Sequence, residues 1–174
     1  MVVYLFAMFG MGGQYLDPSN GLRKLVADAA ARGINVMGSP YRYQQGQEIV
    51  TQIMQLPLGA KVAIGGASCG ANTAPGLGQA LEAHRRIDYM FGFQPSLWCG
   101  CNDKANAVPA NVSKALCIWN GNMAMTGGLG YCKWTAGEHT AFELVDRRVM
   151  HPGDHDTAMQ EKVLAELTRL LKGE

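Results

Sequence analysis

Apolar residues come in two rhythms along this chain, and their alternation predicts the elements. Val2 to Phe9 reads VVYLFAMF, a continuous apolar run of the kind found in a strand covered on both faces. Gly10-Met11-Gly12-Gly13 breaks it, and Asp17-Pro18-Ser19-Asn20 then offers N-cap residues. Leu22, Leu25, Val26, Ala29 and Ala30 recur at helical spacing until Gly33. The unit repeats with a short strand at Ile34 to Met37, a helix marked by Ile49, Val50, Ile53 and Met54 that stops near Pro57, and a third strand at Val62 to Ile64. A helix is expected from about Cys69 to His84, with Pro75 and Gly76 kinking it or delaying its regular part.

Ile87 to Phe93, Ala115 to Trp119 and Ala141 to Val149 supply three further strands. Met159, Val163, Leu164, Leu167, Leu170 and Leu171 mark a closing helix, with Thr157 and Gln160 placed as a capping box. Tyr131 to Trp134 is expected to pair with the last strand as a hairpin. Strands alternating with helices predict an α/β fold: a three-layer sandwich around a mainly parallel sheet of about six strands, in a single domain over residues 1–174. In such sheets ligands bind beyond the carboxyl ends of the strands, near the topological switch point. The glycine loops at Gly10 to Gly13 and Gly65 to Gly70 both fall at strand ends.

Composition narrows the class of partner. With 48% hydrophobic and 17% charged residues the chain reads as a soluble globular protein. A net charge of +1, with basic residues scattered except at Arg85-Arg86 and Arg147-Arg148, gives no basic stripe for nucleic acid. The apolar start lacks the basic flank of a signal peptide and the length of a membrane span, so it reads as a buried strand. Five cysteines (Cys69, Cys99, Cys101, Cys117, Cys132) leave one over, and Cys117 sits inside an apolar run; a reducing, cytoplasmic setting is expected. Cys99-Gly100-Cys101 lacks zinc-knuckle spacing and has no second pair, so it reads as an ordinary loop.

The stretch KVAIGGASCGANTAPGLG, Lys61 to Gly78, carries the chemistry. Gly66-Ala67-Ser68-Cys69-Gly70 fits G-x-S-x-G directly after a strand and before a helix, the setting that presents a serine as a nucleophile. A serine needs a base and donors for the oxyanion it creates. The backbone N–H groups of Cys69 and Met11 converge if the first and third strands are neighbours. RRVMHPGDHDTAMQ, before the last helix, supplies His151 and His155. His155 is preferred as base because Pro152-Gly153-Asp154 lets the chain turn back over the sheet; its plain alternative is a polar residue ahead of a helix cap. His84 and His139 read as surface residues.

The order and spacing of FGMGG at Phe9 to Gly13, GASCG around Ser68 and GDHD around His155 resemble a small member of the α/β-hydrolase superfamily, in its esterase, lipase and cutinase part. The resemblance covers most of the chain. It implies a Ser-His-acid triad with a backbone oxyanion hole, acting on a small-molecule carboxylic ester, thioester or amide without cofactor or metal. The chain departs from the pattern at the acid. After Ala115 to Trp119 come Asn120-Gly121-Asn122-Met123, and where some lipases carry Gly-x-Asp-Pro this chain has Gly92-Phe93-Gln94-Pro95. Asp103 is the best remaining acid, with Asn120 and Asn122 as alternatives that would orient an imidazole through a side-chain oxygen.

Three other readings stand beside this one. A non-catalytic binding module on a degenerate hydrolase scaffold would explain the missing carboxylates. A dinucleotide site at Gly10 to Gly13 fails to complete G-x-G-x-x-G, because Tyr15 holds the last position. A metal site at His151, Asp154, His155 and Asp156 has enough ligands in sequence, yet one-loop clusters of this kind more often cap and solvate.

Overall fold

A computed structural model describes residues 1–10, 21–96, 99, 106–119, 132–146 and 157–174. The apolar run at the start becomes β1 (Val3–Phe9), whose side chains alternate between two cores. After it come α1 (Gly21–Ala31), β2 (Asn35–Arg42), a 3₁₀ turn at Tyr43–Gln45, α2 (Gly46–Gln55), β3 (Lys61–Ala67) and α3 (Cys69–Leu81). The chain continues through β4 (Tyr89–Phe93), β5 (Lys114–Trp119), β6 (Ala141–Asp146) and α4 (Thr157–Lys172). The six strands form one sheet in the order β2-β1-β3-β4-β5-β6, and each neighbouring pair is parallel.

Two helices cover each face. Leu22, Leu25, Val26 and Ala29 of α1 and Val163, Leu164, Leu167 and Leu170 of α4 meet Val3, Leu5, Ala7 and Phe9 of β1 and the buried residues Tyr89, Phe91 and Phe93 of β4. On the other face Ile49 and Ile53 of α2 and Ala71, Ala74, Leu77 and Leu81 of α3 meet Phe6, Met8, Val62, Ile64 and Met90. The three-layer α/β sandwich expected from the alternation is the observed architecture.

Several local expectations change. β2 runs on to Arg42, past Gly38 and Pro40, because pairing with β1 overrides the local break. Phe6 pairs with Met37 and Met8 with Tyr41, so the register shift absorbs the extra residues, and Tyr41 stacks on Phe6 with ring centroids 6.2 Å apart. A proline survives there because β2 is an edge strand. α3 starts directly at Cys69 and carries Pro75 within it, ending at Leu81 rather than His84. Cys132 to Trp134 forms no hairpin with β6: Cys132 N–H donates to the Pro95 carbonyl at 2.8 Å and Thr135 N–H to that of Asn106 at 3.2 Å. Trp134 is buried against Gly92 instead. Gln160 donates its side-chain amide to the Gly21 carbonyl at 3.4 Å, tying α4 to the start of α1. Among the described residues no helix is long and apolar enough to cross a membrane.

Candidate functional site

β1 leads through α1 to β2 on one side, while β3 lies on its other side. The strand order therefore reverses between β1 and β3, which is where a crevice opens at the carboxyl ends of a parallel sheet. Met8 of β1 pairs with Gly66 of β3, so Gly10, just past β1, lies beside Ser68, just past β3. The adjacency on which convergence of the Met11 and Cys69 amides depends is present, although Met11 itself lies outside the described residues.

Ser68 occupies the turn between β3 and α3 with φ 53° and ψ −117°. This is a strained backbone for a residue with a Cβ, and it persists only where the surroundings over-determine it. They do so in two ways. Ser68 N–H donates to the Phe93 carbonyl at 2.8 Å, and its own carbonyl accepts from Asn72 N–H at 3.2 Å. The backbones around it also approach too closely for side chains: a Cβ on Gly70 would lie 2.3 Å from the Met8 carbonyl oxygen, and one on Gly66 would lie 2.6 Å from the same atom. These glycines let the turn sit down on β1.

Serine at a helix start ordinarily spends its hydroxyl on capping. Ser68 makes no such side-chain bond. Its Cβ and Oγ instead face Gly10, where an added Cβ would stand 2.6 Å from Ser68 Cβ and 3.0 Å from Oγ. The side chain is half-buried. Cys69 follows as the first residue of α3, a position whose N–H has no acceptor within its own helix and is aimed along the positive end of the helix dipole. A hydroxyl not used in capping, beside such an amide, is an arrangement suited to attack on a carbonyl and to holding the resulting oxyanion.

The exit of β4 forms the neighbouring wall. Gln94 has φ 49°, is 5% exposed and donates its N–H to the Ile118 carbonyl at 2.7 Å. Its side-chain nitrogen has no hydrogen-bond partner among the described residues. Gln94 directly follows Phe93, whose carbonyl receives the Ser68 amide. Asn72 Nδ2 donates to the Ser96 carbonyl, joining the first turn of α3 to this wall.

Cys69 forms a disulfide with Cys99, with Cα atoms 5.3 Å apart. Cys132 is also disulfide-bonded, whereas Cys117 is free and buried. The ordinary-loop reading of Cys99-Gly100-Cys101 therefore changes, since Cys99 is committed to Cys69 and is no metal ligand. Burial pushes the Cys117 thiol up to about 12, against a smaller opposing effect of the hydrogen bond from Trp134 N–H. Sequence reasoning missed Asn72, Ser96 and the Cys69–Cys99 link, and noted Gln94 only as a position without a carboxylate. The odd cysteine count and the Gln-Pro step were the available signals.

Of the expected site residues, Ser68 and Cys69 stand together at the switch point. His155, Asp103 and Met11, with the alternatives His151, Asn120 and Asn122 and the cluster completed by Asp154 and Asp156, lie outside the described residues. His84 and His139 are exposed. Among the described residues no group of three or more His, Cys, Asp or Glu side chains is arranged to hold a metal ion. Fold and turn together define an α/β protein that presents a serine on a strained strand-to-helix turn at its switch point. Comparison with protein-family models, with curated proteins and with solved structures finds no match for the chain.

Proposed function

We propose that the protein is a serine hydrolase acting on carboxylic esters, thioesters or amides, with Ser68 as nucleophile. The observation that carries this reading is the Ser68 backbone, φ 53° and ψ −117°, on a residue that leaves its helix uncapped. Strain of about 1–3 kcal/mol is retained where function requires it. Ser68 Oγ attacks the substrate carbonyl carbon while its proton passes to His155. The Cys69 amide, with that of Met11, receives the oxyanion. Collapse of the tetrahedral adduct breaks the bond to the alcohol, thiol or amine, which leaves with the proton from His155. Water, deprotonated by the same imidazole, then releases the acid and restores Ser68. Asp103 is proposed to orient the imidazole.

The test is reaction of the protein with a fluorophosphonate, followed by mass mapping. Labelling at Ser68, with loss of p-nitrophenyl ester hydrolysis in Ser68→Ala, is the expected result. A Ser68→Ala protein that turns over esters at the original rate would end the proposal. A non-catalytic binding module draws support from Gln94 standing where a carboxylate was sought, and absence of labelling would favour it. Disulfides persist chiefly in oxidising compartments, so the Cys69–Cys99 link weighs against the cytoplasmic setting expected from the cysteine count.

A further inference from the structure

We infer that the Cys69–Cys99 disulfide is a positioning clamp for the oxyanion-binding turn, so that a dithiol reductant switches the site to a slower state. The inference rests on the serine-hydrolase reading of Ser68. Ties that join the turn to the β4 exit include the Ser68 N–H to the Phe93 carbonyl, the Asn72 side chain to the Ser96 carbonyl, and the disulfide. The disulfide alone is covalent, and it acts on the very residue whose amide would hold the oxyanion.

Ser68 sits in a strained conformation whose relaxation rotates the Ser68–Cys69 peptide, and with it the Cys69 N–H. Cys69 is fully buried, and its side chain is bonded to Cys99. Cys99 is itself fixed to the wall by its N–H bond to the Ser96 carbonyl at 3.3 Å. The Ser96 carbonyl thus accepts from both Asn72 and Cys99, making it the common anchor of the covalent and non-covalent ties. Opening the disulfide leaves the turn held by hydrogen bonds and by the packing of Gly66 and Gly70 on β1, with no covalent hold on Cys69.

The chemistry needs an external dithiol. One of its thiolates attacks Cys99 Sγ, the more accessible end because Cys69 is buried and Cys99 only partly so. The Sγ–Sγ bond breaks and Cys69 leaves as thiolate, taking a proton. The second dithiol sulfur then displaces Cys99, giving a cyclic disulfide and two protein thiols. Two electrons and two protons have moved from the dithiol to the protein.

Displacing an oxyanion donor by about 1 Å costs on the order of 10–100-fold in rate. Treating the whole protein with dithiothreitol, with alkylation and mass mapping of Cys69 and Cys99, is expected to lower kcat for a p-nitrophenyl ester by about 10–100-fold. KM should stay within about threefold, because the amide acts on the oxyanion and not on the bound ester. Reoxidation should restore the rate, and Cys69→Ala/Cys99→Ala should show the reduced kcat with no further response to the dithiol. A disulfide that served stability alone would lower the melting temperature and leave kcat at 25 °C unchanged. If fluorophosphonate labels Ser68 equally fast before and after mapped reduction, the clamp is overturned while the hydrolase reading stands. If the oxidised protein is not labelled at all, both fall. Measurement on native protein in which mapping shows Cys69 and Cys99 alkylated and Cys132 still disulfide-bonded decides the matter even if the double variant does not fold.

Discussion

Gly10→Ala concentrates the geometry of the site in one methyl group. The added Cβ would stand 2.6 Å from Ser68 Cβ, 3.0 Å from Ser68 Oγ and 3.1 Å from the Ala67 carbonyl oxygen. Comfortable carbon–carbon separation is about 3.5–4.0 Å, so one side must yield by roughly 1 Å. Ser68 yields badly, because its N–H is bonded to Phe93 and the flanking glycines press on the Met8 carbonyl. Overpacking of this size costs about 1–3 kcal/mol, or a fall of about 2–12 °C in melting temperature for a chain of this length. Displacing the nucleophile by a comparable distance costs about 10²-fold in rate. Thermal melts and the second-order rate of fluorophosphonate labelling measure the two effects separately. Gly76→Ala is the matched control: it lies within α3, its added Cβ meets nothing within 4 Å, and it should stabilise by about 0.5–1 kcal/mol through helix propensity alone. A Gly10→Ala protein that melts and labels like the original would refute the close approach of Gly10 to Ser68.

Ser68→Gly is expected to be more stable than Ser68→Ala by up to about 2 kcal/mol, since glycine accepts φ 53° and ψ −117° without strain; equal melting temperatures would show that the turn stores none. His155→Gln should cost about as much activity as Ser68→Ala, and Asp103→Asn up to ~10⁴ in kcat, each read from ester hydrolysis; if His155→Gln retains the original rate, the base lies elsewhere. Glu166 is buried, which raises its carboxyl pKa, but hydrogen bonds and charge from Arg169 and Lys114 hold it below the ordinary 4.5. Its stabilising contribution is therefore complete above about pH 4.5 and lost as pH falls through the lower folded value. Melting curves of Glu166→Gln should converge with those of the original protein as the pH is lowered from about 4.5, and a constant gap would contradict this. Cys117 should resist iodoacetamide at pH 8 until the fold is opened, given its burial and a thiol pKa pushed up to about 12.

Periodicity by itself determined the strands, the helices and the layered arrangement, because a side chain's face is set by its place in a repeat of 2.0 or 3.6 residues. Leu22, Leu25, Val26 and Ala29 face one core for that reason, and Ile49 and Ile53 the other. Ser68 was legible for a similarly local reason, since strand, glycine-flanked serine and helix occupy one continuous stretch. Pairings between distant residues were decided only by tertiary structure. β3 settles beside β1 and not beside β2, which puts Gly10 against Ser68. The second strand was expected to span Ile34 to Met37, yet pairing with β1 carries β2 through Gly38 and Pro40 to Arg42. Cys69 and Cys99 are 30 residues apart and could be matched only once α3 and the β4 exit were fixed at the same end of the sheet. Asn72 and Ser96 meet for the same reason. Even the conformation of Ser68 is a tertiary property: the motif names the residue, but the Phe93 carbonyl and the packing on Met8 hold its backbone in a region that the local sequence alone would leave.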